Sequence, residues 1–259
     1  MHEAGVRVRV DAQGVAVLEF CRPDKRNSLD RSTIDAFVEA LSSYEHDDTM
    51  RALVITGEGS AFCSGGDLDE IAEMPNSPSL EQRDYLFRHI QRIPRCFERI
   101  DKPVIAAVNG AAHGAGFDIA LMCDIRLAAR SASFAESYIR LGLIAGDGGA
   151  YYLSRAVGSA RTLELLWTGR TVSAEEALKL GIVSEIHEDD VLRSHAIALA
   201  TRIAEQPSEP VRMTKRMVQG LSRGAIENHL DTIASHMAVL YDSPAFRDRM
   251  ASLRKSRRK

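Results

Sequence analysis

The sequence contains no apolar run that would cross a membrane and no cysteine spacing typical of a metal site or a disulfide framework. A membrane-spanning helix needs about 18 consecutive apolar residues, and the 259 residues contain no such run. The four cysteines are scattered, which predicts free thiols in a reducing compartment and no bound metal. The first residues show no signal-peptide pattern, so we expect a cytoplasmic protein. A formal net charge of −3 gives no reason to expect nucleic acid as a partner.

The rest of the composition is that of a globular protein, with 45% hydrophobic and 27% charged residues. Apolar spacing predicts strands at 6–10, 15–20, 52–56, 104–109 and 125–129, and helices around 34–41, 80–99 and 116–123. From about Asp147 onward the pattern predicts helices alone. We therefore expect an α/β core over 1–205 and a helical C-terminal region over 206–259, which begins at the break Pro207–Pro210.

Two glycine-rich turns are the most informative features of the chain. The first is 62–68 (Phe-Cys-Ser-Gly-Gly-Asp-Leu), and the second is 109–116 (Asn-Gly-Ala-Ala-His-Gly-Ala-Gly). Each follows a predicted strand and precedes a predicted helix, an arrangement that leaves backbone N–H groups without partners. Two such groups that converge on one oxygen make an oxyanion hole, which stabilises an enolate or a tetrahedral oxyanion. The turns therefore predict activation of a carbonyl or thioester.

These motifs resemble those of the enoyl-CoA hydratase/isomerase superfamily, also called the crotonase family. The resemblance covers nearly the whole chain. The matching stretches are 22–29, 61–68, 102–110, 113–126, 141–143 with 148–149, 166–170, and 174–183.

The resemblance implies a crotonase-like spiral of ββα units followed by a helical region that mediates trimers, often paired into hexamers. It implies a coenzyme A thioester as substrate, so that coenzyme A enters with the substrate and no separate cofactor is needed. It puts the thioester oxygen between the N–H groups of Gly66 and Ala115. The substrate-binding residues that it implies are Ser64, Gly65, Asp67, Leu68 and Gly114, with Lys25, Arg26 or the basic tail 254–259 of a neighbouring subunit near the phosphates.

The sequence departs from this family at the acids that activate water in the hydratases. One glutamate of the hydratase pair is replaced by Asp118, and the other falls on Tyr138, a phenol that is a poor base at neutral pH. Glu136 would point the same way as Tyr138 in an extended segment, and it would substitute only after a backbone shift. A further acid, Asp147, lies in a Gly-Asp-Gly turn. Our hypothesis is that Asp118 and Asp147 flank the substrate while Tyr138 hydrogen-bonds to it.

Each of these residues also has a structural interpretation, and more than one reaction stays open. Asp147 would serve equally well as a helix cap, Asp118 as a salt-bridged acid, and Tyr138 as a packing residue. The first expectation for function is hydration or isomerisation of an enoyl-CoA through a stabilised enolate. The second is carbon–carbon bond hydrolysis or decarboxylation of a β-keto substrate, and the third is a non-catalytic scaffold that binds a CoA ester.

Overall fold

The strands of the computed structural model form two sheets, and the chain alternates between them. The structure describes residues 2–3, 5–220 and 225–257. The strands within these ranges are β1 (His2–Glu3), β2 (Val6–Val10), β3 (Val15–Phe20), β4 (Ala52–Gly57), β5 (Ala61–Cys63), β6 (Val104–Val108), β7 (Ala111–His113), β8 (Ile125–Ala129), β9 (Ser133–Ala135), β10 (Val172–Ser173) and β11 (Glu185–His187).

Helices follow most of the strands and make up nearly all of the second half. They are α1 (Arg31–His46), α2 (Leu68–Ile71), α3 (Ser79–Tyr85), α4 (Arg92–Arg99), α5 (Ala115–Met122), α6 (Gly149–Thr168), α7 (Ala174–Leu180), α8 (Leu192–Ala204), α9 (Ser208–Gly220), α10 (Ala225–Tyr241) and α11 (Pro244–Arg257). Short 3-10 segments occur at Pro23–Lys25, Met74–Asn76 and Ser137–Leu141, and Leu86–Ile90 is a π-helix.

The sheet order shows the repeated unit of the fold. The large sheet runs β1-β2-β3-β4-β6-β8-β11, and the small sheet runs β10-β9-β7-β5. The chain therefore passes from a large-sheet strand to a small-sheet strand and then to a helix, as in β4–β5–α2 and β6–β7–α5. The neighbours β5, β7 and β9 are parallel, so they deliver their following turns to one edge. The predicted α/β fold of ββα units with a helical C-terminal region is confirmed.

Two details of the predicted pattern are wrong. The single helix expected over 80–99 is three segments, α3, the π-helix and α4. Pro94 lies in the first turn of α4 and has no N–H to donate to the carbonyl of residue 90, so the helical ladder is interrupted just before it. The second half also contains β10 and β11, which are too short for the alternation of apolar residues to be recognised.

The C-terminal helices cover the substrate-sized pocket described below. Ile233 and Met237 of α10 and Phe246 of α11 pack with Leu86 and Leu143 in a hydrophobic cluster of their own. α10 is tied to the core by the buried side chain of Gln91, whose Nε2 donates to the carbonyl of Leu230 at 2.9 Å. None of the helices in the described ranges is long and apolar enough to pass through a bilayer.

Candidate active site

The two glycine-rich turns lie side by side because the strands before them are parallel neighbours. Ala61 of β5 is paired with Ala111 of β7. Gly65 has a φ of 96°, and a Cβ there would lie 2.8 Å from the carbonyl oxygen of His113 and 3.5 Å from the amide nitrogen of Ala115. Only glycine allows both this conformation and this approach. The first turn is therefore packed directly against the second.

Each turn contributes to one pocket a residue whose N–H has no backbone acceptor among the described residues. Leu29 donates its N–H to the Gly65 carbonyl at 2.8 Å and accepts from the N–H of Asp67 at 2.9 Å. Gly66 lies between these two paired residues, and its N–H takes no part in the pairing. Ala115 is the first residue of α5, where a helix has no internal acceptor for its N–H and carries a partial positive charge. Among the described residues, no backbone carbonyl takes either N–H, and both residues line the same pocket.

The pocket is narrow and mostly apolar, with a volume of about 70 Å³. Its polar lining includes the side chains of Asp147, Tyr138, Tyr85 and Glu70. Its apolar walls include Leu29, Ile71, Leu86, Ile90, Leu143 and Met237. An apolar site with a few converging polar groups is the usual form of a small-molecule site.

Asp147 is the most deeply buried of the three acids that line this pocket, the others being Asp67 and Glu70. Its side chain is 2% exposed, and its Oδ2 atom has no hydrogen-bond partner in the part of the chain that the structure describes. Burial raises the pKa of Asp147 well above its usual value, and the nearby charge of Asp118 raises it further. The alternative that Asp147 caps a helix is wrong, because α6 begins at Gly149 and its N-cap is Gly148.

Asp118, Tyr138 and Glu136 form a second polar group behind the pocket. Tyr138 donates its hydroxyl hydrogen to Oδ2 of Asp118 at 2.7 Å. Asp118 is completely buried and does not line the pocket. Burial raises its pKa to about 7, against the lowering effect of Tyr138, Glu136 and the backbone of Asp147. The alternative of a salt-bridged Asp118 finds no support, since its neighbours within the described ranges are a phenol and carboxyls.

Glu136 is the member of this group that the sequence did not assign. Its carboxyl is 1% exposed and contacts that of Asp118. Burial, and then the charge of Asp118, raise its pKa well above the ordinary value. The expected extended segment is wrong: Glu136 is the N-cap of a 3-10 turn at Ser137–Leu141, which brings Glu136 and Tyr138 to the same carboxylate without any displaced backbone.

Of the other predicted binding residues, Asp67 lines the pocket, whereas Lys25, Arg26 and Ser64 lie around the first turn and are not among its lining residues. Lys25 is half exposed, and its Nζ is 3.3 Å from Asp69. Arg26 is exposed, has a φ of 52°, and accepts the N–H of Ser64 at its carbonyl. Asp67 caps α2 and also lines the pocket. Of the basic tail, residues 258 and 259 lie outside the described residues.

Gly114 and Leu68 lie at the starts of the two helices that follow the turns. Gly114 is the N-cap of α5 with a φ of 52°, and a Cβ there would be 3.7 Å from Cζ of Tyr138. Leu68 is the first residue of α2. The structure thus brings Gly66, Asp67, Ala115, Tyr138 and Asp147 together in one pocket. Asp118 lies directly behind it.

Comparisons with known proteins agree with this architecture. The enoyl-CoA hydratase/isomerase family pattern matches residues 11–249. A 1,2-epoxyphenylacetyl-CoA isomerase of Escherichia coli is 34% identical over 236 residues, which are 91% of this chain and 90% of that protein. A probable enoyl-CoA hydratase of Mycobacterium bovis is 37% identical over 83% of this chain and 78% of its own length.

A solved structure shows the same fold. An enoyl-CoA hydratase/isomerase from Mycobacterium paratuberculosis superposes with a TM-score of 0.89 at 30% identity, covering 96% of this chain and 98% of that one. The fold, the family pattern and the relatives agree over almost the entire sequence, and the chain is therefore an enzyme of the enoyl-CoA hydratase/isomerase family.

Proposed function

We propose that this enzyme moves a proton on an acyl-CoA thioester, so that a carbon–carbon double bond of the acyl group is isomerised. The observation that carries the proposal is the buried carboxyl of Asp147, whose Oδ2 has no partner among the described residues, in a pocket that Gly66 and Ala115 also line. Coenzyme A enters as part of the substrate. One relative, a 1,2-epoxyphenylacetyl-CoA isomerase, supports an isomerase reaction on an acyl-CoA ester.

The proposed reaction uses these three groups in a closed proton cycle. The thioester oxygen accepts from Gly66 and Ala115, which stabilise the negative charge of the enolate as it forms. Ionised Asp147 takes a proton from carbon, the electron pair of that C–H bond delocalises to the thioester oxygen, and Asp147 then returns the proton to a different carbon. The substrate gains and loses no atoms overall. A carboxyl with a raised pKa is a stronger base for a carbon acid and still exchanges its proton near neutral pH.

The polar groups favour isomerisation over hydration. Hydration in this family uses two carboxylates that hold one water, as the resemblance implies. Here Asp118 lies outside the pocket and already accepts from Tyr138, which occupies the position of the second glutamate. Of the acids that line the pocket, Asp147 is the one with a buried carboxyl oxygen that has no hydrogen-bond partner among the described residues. One proton carrier is sufficient for isomerisation.

A second candidate is decarboxylation or carbon–carbon cleavage of a β-keto substrate. The observation that favours it is the raised pKa of Asp147. Burial favours the protonated form of this carboxyl, which is suited to protonating the enolate that such a cleavage leaves. Both reactions pass through the same stabilised enolate, so they differ only in the substrate that enters the pocket.

The test is proton exchange in D2O. The enzyme is incubated with a panel of enoyl-CoA and β-ketoacyl-CoA esters, and deuterium in the acyl chain is measured by mass spectrometry. We expect exchange and double-bond migration with the wild type and with Asp190→Asn, an exposed control, and a loss of at least about 100-fold with Asp147→Asn. Cleavage of the β-keto esters without migration would select the second candidate. Full exchange by a folded Asp147→Asn enzyme would refute both.

We also propose that the chain assembles in the cytoplasm as a homotrimer or a pair of trimers. Exposed apolar side chains support an assembly, since Trp167 of α6 is 70% exposed, Met217 of α9 is 76% exposed and Val239 of α10 is 71% exposed. Light scattering coupled to gel filtration tests the state. A monomer at micromolar concentration would contradict it.

A further inference from the structure

Glu136 and Asp118 meet beside Gly149, the first residue of α6. A Cβ added to Gly149 would collide with Oδ1 of Asp118 and would lie 2.9 Å from Oε1 of Glu136. Both oxygens therefore converge on the bare Cα of one glycine. Neither Oδ1 of Asp118 nor either oxygen of Glu136 receives a hydrogen bond from the described residues if both acids are ionised. Two buried carboxylates in contact, with no donor between them, would be strongly repulsive.

A single proton resolves this conflict. A protonated carboxyl has one O–H to donate, and its partner carboxylate accepts it. Asp118 is the better carboxylate, because Tyr138 already donates to it and the N–H of Asp147 faces it. Its charge also lies at the N-terminus of α6, where the helix dipole favours an anion. Glu136 has no other donor among its described neighbours, so the proton belongs on Glu136.

We propose that Glu136 is a protonated positioning residue, which donates to Asp118 and thereby fixes the carboxylate that holds the Tyr138 hydroxyl beside the pocket. The resulting chain runs from Glu136 to Asp118 to Tyr138. Tyr138 gives its one hydrogen to Asp118, so it turns only lone pairs toward the pocket. This inference rests on the proposed function only for its kinetic consequences, since the shared proton itself is a property of the resting protein.

The ionisable groups near Glu136 lie on the elements that pack around it. Asp118 belongs to α5, Tyr138 to the 3-10 turn, Asp147 to the loop before α6, and Cys63 of β5 lies close enough to Asp147 to feel its charge. Burial raises the pKa of Cys63 to about 12, so the thiol stays neutral across the working range. The groups that titrate with Glu136 are therefore the two aspartates.

Infrared spectroscopy tests the proton without any turnover. Protonated carboxyls have a C=O stretch that ionised carboxylates lack, and it shifts in D2O. At neutral pH we expect Glu136→Gln to remove one such band that the wild type shows. A Glu136→Gln spectrum identical to that of the wild type would overturn the proposal, whatever the activity of the enzyme.

Kinetics tests the positioning role by comparing Glu136→Gln with Glu136→Leu. The glutamine amide keeps an N–H donor for Asp118, so we expect kcat within about threefold of wild type. The leucine variant loses the donor, and we expect at least about a tenfold fall in kcat, little change in KM, and a shift of the acid limb of the pH profile to higher pH, because the hydrogen bond that favours ionised Asp118 is gone.

Three results would overturn the positioning role. They are an equal loss in both folded variants, wild-type activity in the leucine variant, or an unmoved acid limb in it. Circular dichroism and thermal melting establish that each variant is folded. Loss of exchange in Asp147→Asn tests the proposed function separately, so a failure of one idea is distinguishable from a failure of the other.

Discussion

The hydroxyl of Tyr138 is 2.7 Å from Oδ2 of Asp118, so a phenol that lines the pocket donates to a buried acid behind it. A hydrogen bond to a charged group contributes about 1.5–3 kcal/mol. We therefore expect Tyr138→Phe to lower kcat by about tenfold or more. The substitution also removes a donor that favours ionised Asp118, so the pKa of Asp118 should rise. Steady-state rates across a pH series measure both effects.

Tyr152→Phe is the matched control for this prediction. Tyr152 donates its hydroxyl to Glu98 at 3.0 Å, and it does not line the pocket. Both variants should lose a similar amount of stability, and only Tyr138→Phe should lose activity. Equal kcat values in the two variants would show that the Tyr138 hydroxyl does not matter to the reaction.

The pKa of Asp147 makes a prediction about stability as a function of pH. Burial raises this pKa in the folded state, so the folded protein holds a proton that the unfolded chain releases at a lower pH. The stability is greatest below the unfolded pKa and falls as pH rises through the folded pKa. Each tenfold difference in proton affinity corresponds to about 1.4 kcal/mol. An asparagine side chain does not titrate, so Asp147→Asn should become more stable relative to wild type as the pH rises from about 5 to about 8.

Urea denaturation at several pH values measures this difference directly. Asp190→Asn, at an exposed position, should show no pH-dependent difference from wild type. If the free energy of unfolding of Asp147→Asn follows that of wild type at a constant offset, Asp147 is not the buried acid described above.

The geometry of the second glycine turn predicts that Gly114→Ala disturbs the N–H of Ala115. Gly114 has a φ of 52°, which costs an alanine about 1–2 kcal/mol, and the strain falls on the peptide that carries this N–H. We expect kcat to fall by about 100-fold, the typical effect of losing an oxyanion-hole donor. Gly181→Ala is the control, since Gly181 has a φ of 77° and caps α7, where a Cβ would make only an ordinary contact of 3.9 Å with the carbonyl oxygen of Ala156. If Gly114→Ala and Gly181→Ala lose similar amounts of stability and have similar kcat values, the role of the Ala115 N–H is contradicted.

The sequence predicted the two glycine turns because glycine spacing after a strand is a local signal. It did not predict the role of Glu136, because that role depends on a 3-10 turn, whose side-chain directions differ from those of a strand. The contact between Glu136 and Asp118 also joins residues from different ββα units. Packing between units leaves no periodic pattern in one sequence. The alternation within β2 and the apolar stripe of α10 are periodic, so the sequence reveals them.

Lys25 and Arg26 are expected to pair with the phosphates of coenzyme A. We predict that the double variant Lys25→Gln, Arg26→Asn raises KM for an acyl-CoA by about three- to tenfold and leaves KM for the matching acyl-pantetheine unchanged. Asparagine is used at 26 because it tolerates the left-handed conformation found there. The effect should shrink as salt is added, since the charges are exposed.

Lys179→Gln, an exposed lysine on α7, should leave both KM values unchanged. A double variant whose KM rises equally for both thioesters would show that these side chains position the first turn rather than bind phosphate.

We predict that Gly149→Ala destabilises the protein, because two carboxyls lie beside the Cα of Gly149. The Cβ of Gly149→Ala would collide with Oδ1 of Asp118, which forces the carboxyl or α6 to move. Overpacking of this kind costs about 1–3 kcal/mol. Gly220→Ala is the control, because no atom of the described residues lies within 4 Å of a Cβ at that position in α9, and alanine there should be neutral or slightly stabilising.

A double-mutant cycle locates the cause of the Gly149 effect. If the clash is with Asp118, then Gly149→Ala should cost much less in an Asp118→Ala background, and the two free energies of unfolding should be non-additive by about 1 kcal/mol or more. Strict additivity, measured by urea denaturation of the four proteins, would show that glycine is required at 149 by the backbone of α6 and not by the carboxyl pair.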